Sequence, residues 1–248
     1  MLRLYTFNIS HFSEKARWAL DFEGIAYEEK VLVPGPHQLV TRRIARKTHV
    51  PVLVHDGHVV QESSAILDYV ADRLGGRKLT PHDDAAREQL RTDERALDLA
   101  FGLGVQRVLY SAVLSDRALV TDLWTSGGPF WARGFYVFAY PAVAAVVKRM
   151  YKTTDPAAVE SAKQLFLTRF DELDRVLERQ PYLGGAAPSR ADITVAALLA
   201  PICRPPEHRV RWPEVPAVLA DLEQKLKGRP TWNHALRMYR EHRAPVRS

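Results

Sequence analysis

The chain has 248 residues, 46% hydrophobic and 26% charged, with 35 Lys and Arg against 29 Asp and Glu for a formal charge of +6. That balance excludes a disordered chain, and the interleaving of acids with bases excludes a nucleic-acid-binding stripe. The single cysteine, Cys203, excludes an internal disulfide and a cysteine zinc site.

A lone cysteine fits a reducing compartment. The N-terminus lacks the charged-then-apolar order of a signal peptide, so a cytoplasmic location is expected. Leu2, Leu4 and Thr6 alternate with Arg3 and Tyr5, which predicts a strand. Phe12, Ala16, Ala19 and Leu20 share one helical face, with Ser13 before Glu14 as the helix entry and Gly24 as its stop. Tyr27 to Val33 reads as a second strand. Pro34-Gly35-Pro36 turns into a short basic helix that runs to about Lys47. Pro51 to His55 and His58 to Gln61 flank Asp56-Gly57, a strong hairpin signal. Ser63 to Leu74 places Ile66, Tyr69, Val70 and Leu74 on one face and closes at Gly75-Gly76. The order β-α-β-α-β-β-α calls for a mixed four-stranded sheet with helices on its faces.

Residues 1–76 therefore form one unit, residues 77–84 a linker, and residues 85–248 an all-helical unit. Ala85 to Ser115 is helical. Residues 116–134 give no clear element. Gly134 to Val147 is the longest apolar run. As a helix it spans roughly 21 Å, short of a ~30 Å bilayer core, so a buried helix is expected and no membrane partner. Ala157 to Leu177 is amphipathic. Ile193 to Leu199 is apolar on all sides, as a central helix would be, with Pro201 and Pro205-Pro206 ending it. Two more helices are predicted near Val215–Lys227 and Pro230–Arg240.

Four local features bear on chemistry. Ser10, or Ser13, places a hydroxyl between the first strand and the first helix. Free N–H groups and partial positive charge at a helix start favour a thiolate there; the same serine can equally serve as a cap alone. Pro51 holds Val50 extended, a backbone that can pair with a peptide-like ligand. Ser63 reads as a helix N-cap beside Glu62. Together they suit a group carrying both a carboxylate and an ammonium. Ser189-Arg190-Ala191-Asp192 is a reciprocal capping pattern before the apolar helix. No nucleophile elbow, His-Glu-x-x-His or phosphate loop is present.

With these residues the sequence resembles the cytosolic glutathione S-transferase family, as a serine-type or unclassified bacterial-like member. That family has a hydroxyl or thiol residue after its first strand and a Val-Pro with a cis bond before its third. A Glu/Gln-Ser-x-Ala-Ile segment opens its third helix, and a Ser/Thr-x-x-Asp box its C-terminal core helix. Here these are Ser10, Val50-Pro51, Glu62 to Ile66, and Ser189 to Asp192.

The resemblance implies a thioredoxin-like N-terminal domain and an all-α C-terminal domain. It implies glutathione as cosubstrate, no metal, and a homodimer. Ser10 would stabilise the thiolate. Val50, Pro51, Glu62 and Ser63 would bind glutathione, with His37 and His49 near its glycyl carboxylate. The implied reaction is attack on a small apolar electrophile, as in detoxification. Peroxide reduction, dehalogenation, isomerisation or a non-catalytic binding role are the alternatives. Ile44 to His49 departs from the family's usual Asn-Pro-x-Gly-Lys. The aromatics Trp124, Phe130, Trp131, Phe135, Tyr136, Phe138 and Tyr140 are candidates to line the electrophile pocket, or to serve as core and lid.

Overall fold

The computed structural model describes residues 1–76, 78–81, 83–212 and 217–243. Four strands, β1 (Leu2–Phe7), β2 (Glu28–Leu32), β3 (Val52–His55) and β4 (His58–Gln61), alternate with α1 (His11–Phe22), α2 (His37–Ile44) and α3 (Ser63–Arg73). The sheet order is β2-β1-β3-β4. β1 runs parallel to β2, with Thr6 beside Val31, and antiparallel to β3, with Leu4 beside Leu53. The β3–β4 hairpin turns at Asp56 and Gly57, both at positive φ (46° and 85°), the backbone that Asp-Gly adopts at least cost. This is the thioredoxin-like arrangement.

Among the described residues every later element is a helix: α4 (Asp84–Leu97), α5 (Gly104–Val113), α6 (Arg117–Thr125), α7 (Ala132–Tyr151), α8 (Pro156–Leu177), α9 (Arg190–Cys203), α10 (Ala217–Leu226) and α11 (Pro230–His242). α4 runs into α5 through a π-helical turn, Asp98–Leu103. By length and composition this 30-residue rod could cross a membrane, but Ala100, Phe101, Val105 and Val108 are buried in the helical core. The predicted helix start at Val215, Arg77 and His82 of the predicted linker, and the tail beyond Arg243 lie outside the described residues.

Apolar spacing explains why α1 serves two cores. Ala16 and Leu20 pack on the sheet with Leu4, Leu53 and Ile66. Trp18 and Ala19 pack on the other side with α9 and α11. The Trp18 indole donates to the His242 carbonyl at 3.1 Å. The Ser189–Asp192 capping box is formed, and it launches α9 with nearly every residue buried.

Three expectations change. α9 runs through Pro201 to Cys203: the proline gives up one backbone hydrogen bond, and the burial of the α9 side chains around it outweighs that loss. The run 134–147 is not a buried helix. Only Tyr136, Tyr140, Ala144 and Val147 turn inward there, whereas Phe138 is 87% exposed. Residues 116–134, which gave no clear element, hold α6, capped by the Asp116 side chain, and the start of α7.

Candidate functional site

α1 begins at His11 with Ser10 as its cap, three residues before the entry expected at Ser13. The Ser10 Oγ accepts the Ser13 N–H at 3.2 Å. A hydroxyl that accepts one bond still has a hydrogen to donate. Ser13 is instead fully buried, and its Oγ accepts the Phe7 N–H at 3.4 Å. Only Ser10 of the two opens on the large cleft of about 1120 Å³ between the sheet unit and the helices. Arg17 braces this turn: its guanidinium donates to the Asn8 carbonyl at 3.1 Å and pairs with Glu14 at 3.0 Å and Glu29 at 2.9 Å.

Val50, Pro51, Glu62, Ser63, His37 and His49 all line the same cleft. The Val50-Pro51 bond is cis. Ser63 is not the helix cap expected from sequence: it is the first residue of α3, 3% exposed, and Glu62 stands before it at φ +77°. Glu62 pairs with Lys47 at 2.6 Å, and both are more than half exposed. Gln61 ties the departing 45–49 segment down, accepting the Lys47 N–H at 2.9 Å and donating to the Lys47 carbonyl at 2.9 Å. The segment that departs from the family pattern is thus held by side chains of the β4 end.

The two histidines do not supply fixed positive charge. Burial pushes His37 down to about 4, and its ring sits edge-on to Phe7 at 4.8 Å. Burial also lowers His49, against the pull of Glu62. At neutral pH both act as neutral hydrogen-bonding rings.

Beneath Ser63 and Ser64 lies a charged cluster that the sequence reading missed. The buried Lys15 ammonium pairs with Glu94 at 2.9 Å and Asp98 at 2.7 Å, and donates to the Ser64 Oγ at 2.8 Å. Arg190 pairs with Asp68 at 2.6 Å and with Glu94, and donates to the Ser64 carbonyl at 2.8 Å. Burial would raise Glu94, but Lys15 and Arg190 hold it down to about 2. The signal was available: Lys15 sits among Phe12, Ala16 and Ala19 on the apolar face of its helix, where a charge needs a partner.

The aromatic stretch takes the core alternative rather than the pocket-lining one. Trp124, Tyr136 and Tyr140 form a core with Val33, Phe130 is 98% exposed, and Phe135 packs over Gly35. The cleft wall comes instead from the aliphatic continuation of α7, Val143, Val146 and Met150, facing Leu99 and Leu103. Cys203 is buried, and burial pushes its thiol up. Among the described residues no group of His, Cys, Asp and Glu could hold a metal ion.

Residues 4–78 match the family model for the glutathione S-transferase N-terminal domain. Glutathione S-transferase U2 of Arabidopsis thaliana is 32% identical over 107 residues, 40% of this chain and 47% of that protein. The chain spans under half the length of the first curated relatives it matches. Among solved structures, the β-etherase LigF of Sphingobium sp. strain SYK-6 superimposes with a TM-score of 0.62 at 21% identity, over 95% of this chain and 98% of that one. A glutathione S-transferase of Ceriporiopsis subvermispora in complex with glutathione does so with a TM-score of 0.64 at 15% identity, over 100% and 99%. At such identities the structural likeness speaks to fold.

Proposed function

We propose that this chain, whose residues 4–78 match the glutathione S-transferase N-terminal domain, is a member of the cytosolic glutathione S-transferase family that binds glutathione and activates its thiol for attack on an apolar electrophile. The observation that carries the proposal is the state of Ser10, a capping hydroxyl that keeps its hydrogen and faces the cleft at the start of α1. A sulfur resting there would receive the Ser10 O–H and the field of the helix start. Lowering a thiol pKa by two units requires about 2.7 kcal/mol, which a hydrogen bond to a charged group and a helix terminus supply together.

In this reading the tripeptide lies extended, with its cysteinyl backbone against Val50. Its γ-glutamyl carboxylate meets the α3 start at Ser63, and its ammonium joins Lys47 on Glu62. His37 and His49 donate to the glycyl end as neutral rings. The aliphatic wall of α5 and α7 holds the electrophile, and the protein contributes electrostatic stabilisation of the thiolate. A cytoplasmic homodimer acting in detoxification fits the same reading. Peroxide reduction, dehalogenation and isomerisation would use the same thiolate.

The test is calorimetric titration with glutathione, followed by conjugation of a model dinitroaryl chloride. Ser10→Ala should retain glutathione affinity within a few-fold and lose roughly 10²-fold in kcat. The ultraviolet thiolate band of the bound complex should shift to higher pH. Unchanged turnover in the variant would remove Ser10 from the mechanism.

A further inference from the structure

One side of α7 walls the cleft, and another faces water with apolar side chains. Tyr136, Tyr140, Ala144 and Val147 turn inward. Gly134, Phe138, Pro141 and Ala145, spaced by four, three and four residues, share the outward side, and all four are exposed. Phe138 stands almost clear of the protein, and Val137 beside it is more than half exposed. Phe130 and Trp131 extend the patch through the turn that enters the helix. A Cβ added at Gly134 would meet no atom within 4 Å. These residues are distinct from Val143, Val146 and Met150, which line the cleft. Three large aromatics left in water on one helix and its entry turn mark a surface that something covers.

Charge and hydrogen bonding choose the partner. From Ala132 to Lys152 the chain carries Arg133, Lys148, Arg149 and Lys152 and no acid. Arg133 pairs with Asp122 of α6. Lys148, Arg149 and Lys152 are exposed and make no ion pair among the described residues. The other flanking acids, Asp116 and Asp155, cap α6 and α8. Between Gly134 and Val147 the polar side chains are Tyr136 and Tyr140 alone. Their hydroxyls point inward, donating to the Pro34 carbonyl at 2.6 Å and the Leu114 carbonyl at 2.9 Å. A specific protein interface carries about one hydrogen bond per 100–200 Å², and the side chains of this stretch offer none. A bilayer surface asks for none: aromatic side chains sink to the headgroup–acyl boundary, and bases meet anionic headgroups. A second copy of the chain would bring the same bases and no acid from its own α7 to answer them. The run from Gly134 to Val147 spans roughly 21 Å, too short to cross, so the helix would lie along the surface. The expectation of no membrane partner rested on the burial of this helix, and its exposed face removes that ground.

We propose that the outward face of α7 docks on an anionic phospholipid bilayer. Phe130, Trp131 and Phe138 enter the headgroup–acyl boundary, and Lys148, Arg149 and Lys152 are held by the headgroups. The contact uses none of the residues assigned to glutathione, so it stands or falls apart from the transferase reading. Under that reading it sets the cleft beside the phase in which apolar electrophiles collect.

The test is sedimentation of the full chain with vesicles of phosphatidylcholine and phosphatidylglycerol, mixed about two to one, against phosphatidylcholine alone. The anionic vesicles should take up the protein roughly a hundredfold more strongly, and added salt should release it. Lys148→Gln with Arg149→Gln should weaken uptake roughly twentyfold, and Phe130→Ser with Phe138→Ser at least about tenfold. All four positions are exposed, so thermal unfolding of both variants should match the parent. Trp131 emission should shift to the blue on docking and be quenched by brominated lipid, and Trp131→Phe should remove that signal. No uptake by anionic vesicles, equal uptake by neutral ones, or uptake that survives both double substitutions overturns the proposal. So does a concentration-dependent dimer in analytical ultracentrifugation that Phe130→Ser with Phe138→Ser dissolves, since the face then belongs to a second copy.

Discussion

The chain makes the same ion pair, lysine with glutamate, in two very different settings. Lys15 and Glu94 meet at 2.9 Å with side chains 0% and 1% exposed; Lys47 and Glu62 meet at 2.6 Å with side chains 61% and 55% exposed. Geometry does not separate them, but water does. In the interior, losing one partner strands a charge in a poor dielectric. At the rim, solvent replaces a lost partner almost at once. The inner cluster therefore fixes where α1, α3, α4 and α9 sit, while the solvated outer pair does little to position its own elements. The lesson is that contact distance says little about role until burial is known.

The comparison can be broken most severely at Glu94. Glu94→Gln removes the shared partner of Lys15 and Arg190 and should cost about 3 kcal/mol, read as a Tm lowered by roughly 10 °C in thermal unfolding. A loss near that of a surface pair would mean that the cluster is wetter than its burial indicates.

Acid offers a second, graded test. Glu94 sits at about 2 when folded against 4.5 as the ordinary value. Its stabilisation is complete above about pH 4.5 and is lost as pH falls toward 2. Burial likewise holds His11 at about 3 against 6.5; the unfolded chain takes up that proton first, so stability begins to fall below about pH 6.5. Tm should decline gently from pH 6.5 and steeply below 4.5, and Glu94→Gln should flatten only the steep part. The smallest effect belongs to Lys47→Met. Stability should change by about 0–1 kcal/mol, and glutathione affinity should shift a few-fold as Glu62 loses its resident cation. A large stability loss there would erase the distinction.

How far the sequence anticipated these two regions follows from what each one needs. The β-α order, the Asp56-Gly57 turn and the Ser189–Asp192 box were legible because spacing and local hydrogen bonding decide them. The rim residues from Val50 to Ser63 were legible as a constellation, since they lie close together in the chain. The Lys15 cluster was not, because its members come from positions 15, 64, 68, 94, 98 and 190 and only tertiary packing assembles them. The run from Gly134 to Val147 misled for a related reason. Hydrophobicity reports that a helix avoids water, but not whether its neighbour is protein or an open cleft, and α7 has both. The burial of His11 was invisible, as nothing in Ser-His-Phe-Ser tells which way a ring will turn.

One helix lying in two cores has a further consequence. With its Ala16 and Leu20 side committed to the sheet and its Trp18 and Ala19 side committed to α9 and α11, α1 rivets the two halves together along its full length. Parting the halves would therefore uncover both apolar sides of α1 at once, at a cost that rises with the area exposed.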